Sequence, residues 1–151
     1  MKAEARSTPL PGSCDGGSVS DATREGGCLC GAVRYRLTAP PRHAMLCHCR
    51  SCRLASGAPV VAWVTVSAGA FAWTGAAATA YPSSPGVQRT FCGTCGTSLS
   101  YEHAERPGEI DVTTASLDAP DAAAPSFHGW TSHALPWMRF GDDLPKRATN
   151  E

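Results

Sequence analysis

Three short segments hold most of the residues able to do metal chemistry: Cys28-Leu29-Cys30, Cys47-His48-Cys49-Arg50-Ser51-Cys52 and Cys92-Gly93-Thr94-Cys95. The thiolate is the form of cysteine that ligates metal, and a tetrahedral zinc takes four ligands, often a pair from each of two turns. Cys92 and Cys95, followed by Gly96, have the form of a zinc knuckle, in which glycine lets backbone N–H groups approach the sulfurs. Two more sulfurs must complete it. Cys47, Cys49 and Cys52 lie within six residues and can share an ion of their own. That assignment leaves Cys28, Cys30, Cys92 and Cys95 as a complete set of four. It uses seven of the eight cysteines and leaves out only Cys14. Four sulfurs close a site and make it structural, whereas three leave a fourth position for water or substrate. Two zinc ions per chain are therefore expected. Buried free thiols, disulfides or an iron–sulfur cluster would draw on the same residues, but the close spacing favours zinc.

Residues two apart in an extended chain point to the same side. Cys28 and Cys30 are thus expected to face the metal together, with Leu29 turned to the core. Cys47 and Cys49 should do likewise, with His48 directed away as a supporting or core residue. His103, His128 and His133 show no metal-like pairing and read as surface or satisfied core histidines. Seven thiolates (−7) and two zinc ions (+4) leave −3 on a chain whose 13 basic and 13 acidic side chains otherwise balance. Arg34, Arg36, Arg42, Arg50, Arg53 and Arg89 lie near the ligand segments and are expected to offset that charge. Arg50 and Arg53 flank Cys52 and are also candidates for the carboxylates of an anionic ligand. No Ser-His-Asp order, GxSxG elbow, P-loop or GxGxxG is present.

The elements that must carry these residues read as short strands. Val33, Tyr35 and Leu37 alternate with arginines, and residues 60–66 form a β-branched run around Trp63. Phe71 and Trp73, residues 87–91, Leu99 with Tyr101, and Ile110, Val112 and Thr114 mark further strands. Residues 82–86 carry the turn chemistry of Pro82, Pro85 and Gly86 and read as a loop. Helical turns are expected only at 50–56 and 121–124. The class is all-β. Residues 1–25, rich in Ser, Gly and Pro, read as a disordered leader, with a folded domain over 26–147. The leader has no apolar core of a secretory signal, and the longest apolar stretch, 58–64, is too short to span a bilayer. A cytoplasmic protein without membrane contact is the expectation. The balanced charge also offers no basic field for nucleic acid.

The run Gly27-Cys28-Leu29-Cys30-Gly31-Ala32-Val33-Arg34-Tyr35 resembles a known family pattern. So do Cys47-His48-Cys49-x-x-Cys52 with Ala55-Ser56-Gly57-Ala58, and Phe91-Cys92-x-x-Cys95-Gly96-Thr97. The family is the glutathione-dependent formaldehyde-activating (Gfa, or CENP-V/GFA) family, and the likeness extends over Ile110-Asp111-Val112-Thr113, Ser116-Leu117-Asp118 and Leu135-Pro136-Trp137. The resemblance implies a β-tent of antiparallel sheets holding two zinc ions. It also implies the same division of ligands, with Cys47, Cys49 and Cys52 at a catalytic metal. The implied activity is that of a carbon–sulfur lyase handling a thiol adduct such as S-hydroxymethylglutathione, made from formaldehyde and glutathione. The partner it implies is a small thiol. The alternative is a non-catalytic, zinc-stabilised binding module, as in chromatin-associated relatives.

Overall fold

The computed structural model describes residues 23–149, so Cys14 and most of the expected leader lie outside the described residues. The described residues are mostly β, with two sheets and one α-helix. The strands are β1 (Arg24–Gly27), β2 (Arg34–Leu37), β3 (His43–Cys47), β4 (Val61–Ser67), β5 (Phe71–Trp73), β6 (Thr79–Ser84), β7 (Val87–Phe91), β8 (Ser98–His103), β9 (Glu109–Thr113) and β10 (Phe127–Gly129). The helix α1 (Arg50–Ser56) falls where a helical turn is expected, and a short 3-10 turn covers Pro120–Ala123. Among the described residues no helix is long and apolar enough to cross a membrane.

A three-stranded antiparallel sheet, β1-β2-β5, packs on a seven-stranded sheet ordered β10-β3-β4-β9-β8-β7-β6. The large sheet is mixed, because β10 joins β3 in parallel. This differs from an all-antiparallel arrangement. β10 arrives by a long connection from β9 and takes the free edge of β3, an order that strand periodicity does not encode. Alternation along β4 divides its side chains between two faces. Val64 and Val66 join Val33, Tyr35, Leu37, Leu99, Ile110 and Val112 in the core between the sheets. Val61 and Trp63 face the other way, into a second cluster with Met45, Cys47, Cys52 and Phe127.

Two boundaries differ from expectation. Arg24 and Glu25, read as part of the leader, belong to β1 and pair with Leu37 and Arg36. Residues 82–84, read as loop, belong to β6. β6 ends the sheet, where a proline need not donate to a ladder, and its register shifts between Pro82 and Ser84.

The β1 strand brings Cys28 to the sheet interface through a close approach at Gly26. A Cβ there would collide with the Tyr35 ring and lie 2.5 Å from the Ser116 carbonyl oxygen. Tyr35 is fully buried and donates or accepts at Ser116 Oγ, 2.7 Å away, so it has nowhere to move. Gly26→Ala is expected to cost about 1–3 kcal/mol by overpacking, whereas Gly69→Ala, with only Ser67 Oγ at 3.9 Å, stays within about 0.5 kcal/mol. Denaturant unfolding of the two variants checks the difference.

Candidate functional site

Cys28, Cys30, Cys92 and Cys95 form one cluster and Cys47, Cys49 and Cys52 another, with the sulfurs of each within 4.8 Å of one another. The first lies at the margin of the core between the sheets, where Cys28 and Cys92 are buried, Cys95 packs against the core and Cys30 is exposed. The second belongs to the apolar cluster on the opposite face of the large sheet.

The four-sulfur cluster is built from two turns. Gly31 donates its N–H to the Cys28 carbonyl at 3.0 Å and Gly96 donates to Cys92 at 2.8 Å, both with positive φ, +78° and +77°. Glycine suits such left-handed positions. The Val33 N–H donates to Cys28 Sγ at 3.2 Å. Thr97, with Oγ1 3.3 Å from Cys95 Sγ, leads the interactions that hold that thiol down at about 5. Because residues 28–31 form a turn, strand alternation does not apply there. Leu29 is 89% exposed and does not face the core, contrary to the expectation. The Cys28–Cys30 and Cys30–Cys92 sulfurs are 3.5 and 3.8 Å apart. A tetrahedron of thiolates at about 2.3 Å from a metal has edges of about 3.8 Å, so the donor set fits one four-coordinate ion.

In the three-sulfur cluster, Cys47 ends β3 and Cys49 is the N-cap of α1, its sulfur accepting from the Cys52 N–H at 3.3 Å. Cys52 lies in the first turn of the helix and is buried. Gly57, in the left-handed conformation, ends α1 by donating to the Arg53 carbonyl. Crowding separates the protons of the trio. Hydrogen bonds from Cys47 and Cys52 hold Cys49 down at about 2, with Arg89 acting in the same direction. Cys49 and Cys52, followed by burial, push Cys47 far up. Three thiols held this way cannot all ionise unless a cation arrives, which is how a metal-binding donor set behaves.

His48 is buried and turned from the cluster. Its Nε2 lies 2.9 Å from His128 Nδ1, and His128 Nε2 lies 3.0 Å from an Asp142 carboxylate oxygen. With His128 Nε2 donating to Asp142, its Nδ1 accepts and His48 Nε2 donates. Burial, followed by the nearness of the His128 ring, holds His48 below the usual imidazole range. This chain of contacts fastens the last described segment behind the Cys47–Cys52 loop. His128 is thus a satisfied core histidine, as expected.

A cavity of about 1190 Å³ opens beside the trio, with Cys47, Cys49 and Cys52 in its wall. One transverse row of the large sheet supplies its floor: Tyr81 pairs with Arg89, Arg89 with Tyr101, and Tyr101 with Asp111. The Arg89 guanidinium carbon stands 4.8 Å from the Tyr101 ring centre, and Nη2 donates to Cys52 Sγ at 3.7 Å. Asp111 is paired with Arg106 and accepts from Thr65. Trp130 lines the wall with φ of +58°, the single non-glycine residue of positive φ among the described residues, stacked on His133 at 5.8 Å.

The candidate arginines divide. Arg50 lines the cavity; Arg53 does not, and donates Nε to the His48 carbonyl at 3.2 Å. Arg34, Arg36 and Arg42 pair with Asp118, Glu25 and Glu109, so carboxylates meet their charge. Arg89 alone of the six contacts a ligand sulfur among the described residues. His103 and His133, read as surface or satisfied core histidines, both line the cavity. The positions of His103 and Tyr101 depend on strand pairing and that of His133 on the 3-10 turn Thr131–His133, and none carries a local sequence signal.

Residues 23–133 match the model of the glutathione-dependent formaldehyde-activating enzyme family, and the chain belongs to that family. No curated protein matches the chain. A crystal structure of a Rhodobacter sphaeroides protein shares the fold at 22% identity, with a TM-score of 0.53, over 81% of this chain and 98% of that one.

The two clusters are expected to respond differently to loss of one sulfur. Cys95→Ser should abolish folding, since a structural zinc contributes about 10–16 kcal/mol in small domains whose net stability is about 5–15 kcal/mol. Cys49→Ser should leave a folded chain that retains one ion. Metal analysis with circular dichroism reads both, and equal collapse of the two variants would show that the clusters do not differ in role.

Proposed function

We propose that the protein is a zinc-dependent enzyme of carbon–sulfur lyase type that handles a thiol adduct such as S-hydroxymethylglutathione. The observation that carries this reading is the contrast between a closed set of four sulfurs and a set of three in the wall of a cavity of about 1190 Å³. A volume at or above the usual range of about 300–1,000 Å³ for small-molecule sites suits a tripeptide. Family membership supports the same substrate class.

Zinc suits these donors because soft thiolates favour it, and when bound it supplies a Lewis acid with one position at which a thiol ionises. Cys28, Cys30, Cys92 and Cys95 would hold the structural ion, and Cys47, Cys49 and Cys52 the open one. A cytoplasmic setting keeps these thiols reduced. The reaction itself balances simply. In the forming direction the glutathione thiol gives up its proton, and its sulfur attacks the formaldehyde carbon. A carbon–sulfur bond forms, the carbonyl π pair moves to oxygen, and that oxygen takes a proton. Cleavage is the reverse. Trp63, Tyr101 and Trp130 line the cavity with aromatic surface, while Arg50 at its wall offers a guanidinium for the peptide's carboxylates. Arg53, held by the His48 carbonyl, has a weaker claim to that role.

Glutathione is expected to bind with release of a proton, and its affinity to rise with pH below the free thiol pKa of about 8.5. S-methylglutathione keeps the carboxylates but offers only a thioether and should bind at least about tenfold more weakly. Calorimetry in two buffers of different ionisation enthalpy counts the proton. Equal binding of both compounds without proton release would place the peptide elsewhere. Absence of binding by both would favour the non-catalytic module.

A further inference from the structure

Arg89 stands apart from the other arginines near the ligand segments. It is 93% buried, being 7% exposed, on the central part of β7. Burial of a guanidinium is costly unless an anion compensates it. Among the described residues no carboxylate lies within ion-pair distance of it, whereas Arg34, Arg36, Arg42 and Arg106 each have one. Asp111, the carboxylate in the same cross-strand row, is already taken by Arg106 and Thr65. The polar neighbour of Arg89 is Cys52 Sγ, 3.7 Å from Nη2, and its Nη1 has no hydrogen-bond acceptor. The anion that compensates Arg89 is therefore the thiolate trio.

The charges then sum differently at the two clusters. Three thiolates and Arg89 give −3 + 1 = −2, which one divalent cation brings to zero. The four-sulfur set gives −4, and one divalent cation leaves −2. An added anionic ligand takes the trio only to −1; without Arg89 the same ligand would take it to −2. In a partly buried site such a difference is felt strongly, because charges a few ångströms apart are weakly screened.

We infer that Arg89 is a positioning and selectivity residue: by neutralising the loaded trio, it makes the fourth position prefer an anionic sulfur ligand over a neutral donor. This rests on the reading that the trio holds an open divalent metal, but not on glutathione as substrate. It acts through charge beside Cys52, so a neutral side chain of similar length removes the effect and lysine preserves it.

The test compares two small probes with no peptide, ethanethiol and imidazole, on the zinc-loaded protein at one pH. Calorimetry gives the ratio of their affinities for the wild type, Arg89→Met and Arg89→Lys. The proton that ethanethiol must lose weighs equally on every variant and cancels. Arg89→Met is expected to lower the ethanethiol-to-imidazole ratio by about tenfold or more, with imidazole affinity unchanged within about twofold. Arg89→Lys should keep the ratio within about threefold of wild type. If Arg89→Met does not retain two metal ions, Arg89→Gln takes its place with the same expectation. An unchanged ratio in the neutral variant overturns the inference. So does a loss in Arg89→Lys as large as in Arg89→Met, which would make packing the cause, or failure of ethanethiol to bind the wild type. Binding of ethanethiol with no binding of glutathione would sink the proposed substrate and leave the role of Arg89 supported.

Discussion

Seven sulfurs held within a few ångströms of their cluster partners repel one another once ionised, and that repulsion governs the molecule. Each cluster is tolerable only if protons stay on some of the thiols or a cation replaces them. The split within the trio, Cys49 low and Cys47 far up, expresses that conflict without metal. Since the sulfurs come from turns flanking β1, β3 and β7, a cation that relieves the repulsion would also tie distant parts of the chain together. In a domain of marginal net stability, such a cross-link would decide folding.

The large sheet keeps the two clusters apart and gives them different surroundings. Side chains alternate across it, so the face carrying Val64 and Val112 closes over the four-sulfur set while the face carrying Trp63, Tyr101 and Arg89 opens on the cavity. One side is apolar and covered by the small sheet, with Cys30 left exposed at its margin. On the other, a cross-strand row of polar residues leads to the trio. The large cavity lies on the trio's side as a consequence of strand period and of a second sheet that covers one face only.

Much of this was legible in the sequence. The cysteine spacing gave the membership of both clusters, since ligands close in sequence need only one turn to meet. The helix at 50–56 and the strands around Trp63, Val87 and Ile110 followed from local pattern. The failures have physical causes. Leu29 was placed inside because alternation was applied to a turn. β10 and β6 escaped because one owes its place to a long-range parallel pairing and the other runs through Pro82 at a sheet edge. Arg89 was expected to offset thiolate charge and does contact Cys52, yet so were Arg34, Arg36 and Arg42, which spend their charge on carboxylates. Which cation reaches the sulfur depends on strand register, and register is not written near any one residue.

The central claim is that the two clusters hold two ions of unequal coordination. Anomalous diffraction at the zinc absorption edge from crystals of the intact protein tests it most directly. Two peaks are expected: one enclosed by the sulfurs of Cys28, Cys30, Cys92 and Cys95, the other bound by Cys47, Cys49 and Cys52 with a non-protein ligand in the fourth position. A single peak, or a fourth protein side chain closing the trio, would contradict it.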